Sequence, residues 1–171
     1  MAECGGMEER LKRAAHELVS FASAHGLTVS TAESLTAGLV ASTIAGVPGA
    51  SVVLRGGAVT YVNEVKEAVL GVDAQDIARY TEVSHPVARQ MAEGSRRLFE
   101  ADVAVSLTGY AGPGGGTEQD PVGTVYLGIA SARGVDSRRV SLEGDRAAVR
   151  AASALCALEM LLDELNALAS S

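Results

Sequence analysis

The chain has 171 residues, a formal charge of -7 and an isoelectric point near 4.9. That length fits one domain with a substantial core, and a hydrophobic content of 47% excludes a disordered chain. The acidic balance leaves no broad basic footprint for nucleic acid, and 4% aromatics without tryptophan exclude a base-stacking platform.

An anionic ligand must therefore be held by a local site. Residues 1–13 carry too many charges for a signal peptide, and no run approaches the roughly 20 apolar residues of a membrane helix. Neither a membrane nor a nucleic acid is expected as partner. Cys4 and Cys156 form no CxxC pair or Cys/His cluster, so no metal or cofactor is expected and a reducing, cytoplasmic compartment is. Residues 1–7 are expected to be a disordered N-terminus, with one domain over 8–168.

The spacing of Leu11, Ala14, Ala15, Leu18, Val19 and Ala22 predicts an amphipathic helix stopped by Gly26. LTVSTAES then reads as a short strand, and LTAGLVASTIAG as a small-residue helix ending at Gly46. Residues 50–61 read as extended, with Gly56 and Gly57 marking a bulge or bend. NEVKEAVLGV predicts a short helix stopped by Gly71, and 84–101 a longer one with Ser84 as cap and Pro86 in its first turn.

ADVAVSLTG and GTVYLGIASA read as two strands flanking the loop GYAGPGGGTEQDPV. After RRVSLEG, Asp145 caps a closing helix with a stripe of Ala148, Ala152, Leu155, Leu158, Leu162 and Leu165. The order predicts an α/β, single-domain layered fold with helices packed about a mixed β-sheet. The loop after residue 109 is too long for a mere connection, which points to binding.

Three features carry chemistry, each with two open readings. Gly109, Gly112, Gly114, Gly115 and Gly116 follow a strand, where backbone N–H groups converge on an anion, or else form a flexible hairpin. No Walker A or GxGxxG pattern fits them. Arg146 opens the last helix, a poor place for a cation unless it and the helix N-terminus share a phosphate; the alternative is a pair with Asp145 or Glu143. Ser34 follows a strand with no histidine in a triad context, so it is either a helix cap or a nucleophile served by lysine. Lys12 and Lys66 are the two lysines, and Lys66 sits among Val62, Val65 and Val69. Desolvation there would make it the neutral base that a Ser–Lys pair requires.

AESLTAG, GGAVTYVNEVKEAVLGV, TGYAGPGGGTEQDPVGTVY and GDRAAVR, in that order, resemble the C-terminal domain of CinA and its stand-alone relatives, the nicotinamide-nucleotide amidohydrolases or NMN deamidases. The resemblance implies a single α/β domain that hydrolyses the carboxamide of nicotinamide mononucleotide to nicotinic acid mononucleotide and ammonia. It implies Ser34 and Lys66 as a catalytic dyad with Tyr61 beside it. Glu33, Thr36, Asn63, Thr108, Gly109, Gly112, Gly114, Gly115, Gly116 and Arg146 fall on substrate- or phosphate-binding positions, and backbone N–H groups over 34–37 on the oxyanion. Leu35 stands where the family carries cysteine, and Ala37 where it carries the first glycine of a pair. The alternative is a non-catalytic nucleotide-binding or regulatory module. A purely structural domain leaves the glycine loop unexplained, although small-residue helices favour a homo-oligomer.

Overall fold

The computed structural model describes the backbone of residues 2–171 and side chains from Gly6 onward. Six helices enclose a five-stranded mixed sheet in one layered domain, as expected. The first helix, α1 (Ala2–His25), buries Leu11, Ala15, Leu18, Val19 and Ala22 and ends where Gly26 takes φ +65°. The helix includes residues 2–7, and near that end Lys12 meets Glu8 at 2.7 Å. Met1 and the Cys4 side chain lie outside the described residues.

β1 (Val29–Glu33) is buried along its whole length and pairs in parallel with β2 (Leu54–Val59) and β3 (Val103–Gly109). A 3-10 turn, Ala50–Val52, precedes β2, and the register skips Arg55, so the irregularity expected at the glycines sits one residue earlier. β4 (Thr124–Ser131) pairs antiparallel with β3 and β5 (Gly134–Ser141) antiparallel with β4, giving the order β2-β1-β3-β4-β5.

α2 (Leu39–Ala45) begins four residues later than the predicted helix, because residues 34–38 form a turn with Ala37 at φ +50° and Gly38 at φ +95°. α3 (Asn63–Leu70) and α5 (His85–Phe99) fall where expected. Ser84 occupies the α5 cap position, yet its hydroxyl donates to the Thr81 carbonyl instead of capping. α4 (Ala74–Tyr80) was not anticipated; Ile77 is its one aliphatic contact with the core, too little to mark a period. In α6 (Arg146–Ala169), Asp145 caps through Ala148 N–H at 2.9 Å. Its buried stripe runs through Val149, Ala154, Leu158, Leu161 and Leu165, with Ala148 left in solvent.

The sheet has two unlike faces. Val29, Val103, Val105, Leu107, Val125 and Leu127 meet α1, α2 and α6 in the main core. On the other face small residues admit α5: Ser106 donates to Ala88 O, and a Cβ at Gly128 would collide with that carbonyl. Burial of these aliphatic side chains stabilises the layers by ~25 cal/mol per Å² of apolar surface removed from water.

Candidate active site

Strand register decides where the chemistry gathers. Glu33 pairs with Val59 on one side and Leu107 on the other, so Ser34, the Thr60–Tyr61 step and Thr108 leave three adjacent parallel strands at one level. Gly109 pairs with Val125, which arches the glycine loop over that end, and Thr124 pairs with Ser141, which brings the start of α6 there too. Open parallel sheets bind ligands outside their strand carboxyl ends, at the point where the strand order reverses. Here β1 is that point, with β2 on one side and β3 on the other.

A cavity of about 150 Å³ opens at this end. Ser34 and Leu35 wall it from the turn after β1, Tyr61 and Lys66 from β2 and α3, and Thr108 to Ala111 from the end of β3. Glu82, Val83 and Arg146 close the rest.

Lys66 is 1% exposed, among the most buried large side chains in the protein. Its Nζ donates to Ser34 Oγ and to the Tyr61 carbonyl, each at 3.4 Å. These contacts are longer than the usual 2.7–3.2 Å, a slack common in catalytic pairs before substrate arrives. Burial pulls the Lys66 pKa below its ordinary value, against the upward pull of the Glu82 and Glu64 carboxylates. Burial also lifts the Tyr110 phenol, with Glu82 adding to it.

The remaining predicted residues divide. Thr108 lines the cavity and donates to Glu82 O at 2.7 Å, and Gly109 lines it as well. Tyr61 is present by its backbone: the carbonyl holds Lys66, while the half-exposed phenol accepts from Arg146 Nη2 at 2.7 Å. A proton relay from that phenol to Lys66 therefore has no contact to run through. Arg146 also donates to Gly112 O at 2.9 Å, and it pairs with neither Asp145 nor Glu143. Gly112 thus contributes a carbonyl to the arginine, and Gly114, Gly115 and Gly116 are exposed beyond the cavity walls.

Three expected binding residues lie elsewhere. Glu33 is fully buried, and its carboxylate accepts from Gly38, Val40 and Ala41 N–H at 2.9 to 3.1 Å and from Thr31 Oγ1. It holds the start of α2, which is why residues 34–38 turn instead of coiling. Thr36 is fully buried outside the cavity walls, and Asn63 opens α3 away from them.

Sequence reasoning missed Glu82, Tyr110 and Arg150. Arg150 Nε donates to Leu35 O and Nη2 to Thr36 O, both at 2.9 Å. A signal existed for Arg150, since it lies four residues after Arg146 and so on the same helix face; Glu82 carried none. A larger depression of about 720 Å³ lies at the opposite end of the sheet. Two of its polar groups are engaged by residues outside its wall, Asp102 by Thr28 and Ser131 by Glu164. No cluster of three His, Cys, Asp or Glu side chains suits a metal among the described residues, and no described helix is long and apolar enough to cross a membrane.

Residues 11–165 match the CinA C-terminal domain family. A CinA-like protein of Myxococcus xanthus is 49% identical over 144 residues, which is 83% of this chain and 34% of the relative. A CinA-like protein of Mycolicibacterium gilvum is 48% identical over 142 residues, 82% of this chain and 34% of the relative. The chain thus spans about a third of the length of the curated relatives it matches. The crystal structure of competence/damage inducible protein CihA from Agrobacterium tumefaciens superposes with a TM-score of 0.88 at 38% identity, covering 92% of this chain and 96% of that one.

Proposed function

The chain belongs to the CinA C-terminal domain family, and from that premise we propose that it is a serine amidohydrolase acting on the carboxamide of nicotinamide mononucleotide. One observation carries the reading: a lysine 1% exposed to solvent, aimed at the hydroxyl of a half-buried serine in a cavity.

Neutral Lys66 takes the Ser34 hydroxyl proton as Oγ bonds to the carboxamide carbon. The tetrahedral oxyanion collapses, the C–N bond breaks, and Lys66 returns the proton to departing ammonia. Water then attacks the acyl-serine, giving its proton to the again neutral lysine, and Ser34 leaves reprotonated as the carboxylate product forms. Oxyanion donors are narrower than the 34–37 run expected. Ser34 N–H is bonded to Leu107 O and Ala37 N–H to Ser34 O; Leu35 and Thr36 N–H have no partner among the described residues, and of these two Leu35 belongs to the cavity wall.

The cavity is smaller than the ~300–1,000 Å³ of pockets that enclose whole ligands. It suits one ring, with the ribose phosphate lying outward past Tyr61 and Arg146. Arg146 uses two of its five N–H donors on Gly112 and Tyr61, so three remain for phosphate. A single local cation resolves how a protein of charge -7 would hold an anion.

The 3.4 Å Ser–Lys contact favours one other reading, a nucleotide-binding module without turnover. Ammonia release from nicotinamide mononucleotide separates the two. Turnover by the parent and none by Ser34→Ala supports the hydrolase; tight binding with no ammonia from either supports the module.

A further inference from the structure

Arg150 stands one turn beyond Arg146 on α6, half-buried, with no carboxylate in ion-pair distance among the described residues. A charge taken from water without an acid partner is costly unless dipoles replace the solvent. Here they are two successive carbonyls of the turn after Ser34, Leu35 O and Thr36 O, each at 2.9 Å.

Both peptides are trans, so each N–H points opposite the carbonyl that faces the guanidinium. The Thr36–Ala37 peptide closes its N–H on Ser34 O. The Leu35–Thr36 peptide leaves its N–H, that of Thr36, unengaged and directed away from the arginine. One side chain thus fixes the planes of the two peptides that follow Leu35 and holds a full positive charge at their oxygen ends, polarising both N–H groups.

We propose that Arg150 is the positioning residue of the oxyanion turn, fixing the peptide that follows Leu35 so that the free Leu35 N–H at the cavity wall stays aimed at the negative charge that develops on the substrate oxygen. The role rests on Ser34 being the nucleophile of the amide hydrolysis proposed above. Arg150 touches no reacting atom; it acts through the Leu35–Thr36 peptide. Its contribution therefore belongs to the transition state and not to ground-state binding.

Ammonia release from nicotinamide mononucleotide by the full chain, with kcat and KM resolved, tests this for the parent, Arg150→Ala and Arg150→Lys. Thermal unfolding of each variant runs alongside. The expected result is a kcat lowered about tenfold to a hundredfold in Arg150→Ala, the range for loss of one oxyanion donor or somewhat less, with KM within twofold. Millimolar guanidinium ion should restore part of that kcat, and Arg150→Lys should fall between, since it keeps charge but not the two-pronged grip. A purely structural tie would give neither guanidinium rescue nor a loss confined to kcat. A parent with turnover and an Arg150→Ala variant matching it, or a loss confined to KM, overturns the role of Arg150 alone. A parent without turnover overturns the hydrolase reading and this one together. Should Arg150→Ala lose cooperative unfolding, Arg150→Lys decides by the same split.

Discussion

Lys66 concentrates the chemistry in one side chain. An ammonium 1% exposed is penalised by lost hydration, and the protein accommodates it by favouring the neutral amine. If that amine is the base for Ser34, Lys66→Met should lower turnover by at least roughly 10²–10⁴-fold, the usual worth of a positioned proton acceptor. Full activity in that variant would remove the dyad. The same substitution has a second consequence. Because burial lowers the folded-state pKa, the unfolded chain binds more protons at this site between that value and the ordinary 10.5. Stability contributed through Lys66 therefore rises with pH across that window, and below it the full penalty stands. Lys66→Met should unfold at a higher temperature than the parent at pH 7, with the difference narrowing toward pH 10.5; a variant less stable at neutral pH would mean that packing of the stem outweighs the charge. These two residues were legible as chemistry, a serine at a strand end and one lysine among valines. Glu33, expected at a binding position, holds the start of α2, and a carboxylate at a strand end looks the same in sequence whether it meets a ligand or a neighbouring helix.

The turn over 34–38 shows what an element boundary does for function. Three N–H groups at the start of α2 converge on Glu33, and without that acceptor they would be left unpaired, that of Val40 buried and those of Gly38 and Ala41 half-buried. Glu33→Ala should cost about 3 kcal/mol or more, since each orphaned donor carries ~1–3 kcal/mol. Urea unfolding measures it, and a loss under about 1 kcal/mol would show that water replaces the carboxylate. Asp145→Ala is the milder case at the head of α6, worth about 1 kcal/mol as a lost cap. It should also raise the KM for mononucleotide, because Arg146 is the next residue. Elements with an apolar period were legible: α1, β1, β3, β4 and α6. α4 is almost wholly polar, and β5 alternates half-buried Val135, Ser137 and Val140 with exposed charge, so neither gives a strong pattern. The late start of α2 is a tertiary effect, set by a side chain that precedes the helix.

Over the whole molecule, sheet topology makes residues far apart in sequence into neighbours. Parallel pairing of β1 with β2 and β3 lines up three carboxyl ends, and the antiparallel hairpin returns the glycine loop and α6 to the same edge. The layered class could be read from the alternation of helices and strands, but the strand order could not, because hydrophobic pattern marks a strand and not its partner. The two depressions at opposite ends of the sheet make the assignment testable. Nicotinamide mononucleotide at a hundredfold over its Kd should stabilise the Ser34→Ala variant by about 2.7 kcal/mol. For a chain of this size that is a rise of ~5–10 °C in Tm. Amide exchange then locates the ligand, and slowed exchange is expected at residues 34–38, 61–66 and 108–112 while 93–102 and 130–135 remain as in the free protein. The variant Arg146→Ala should lose most of both effects, because the phosphate would have no cation to meet. Protection confined to 93–102 and 130–135 would move the nucleotide to the amino-terminal end of the sheet, some five strand residues from Ser34, and leave the buried lysine without a substrate.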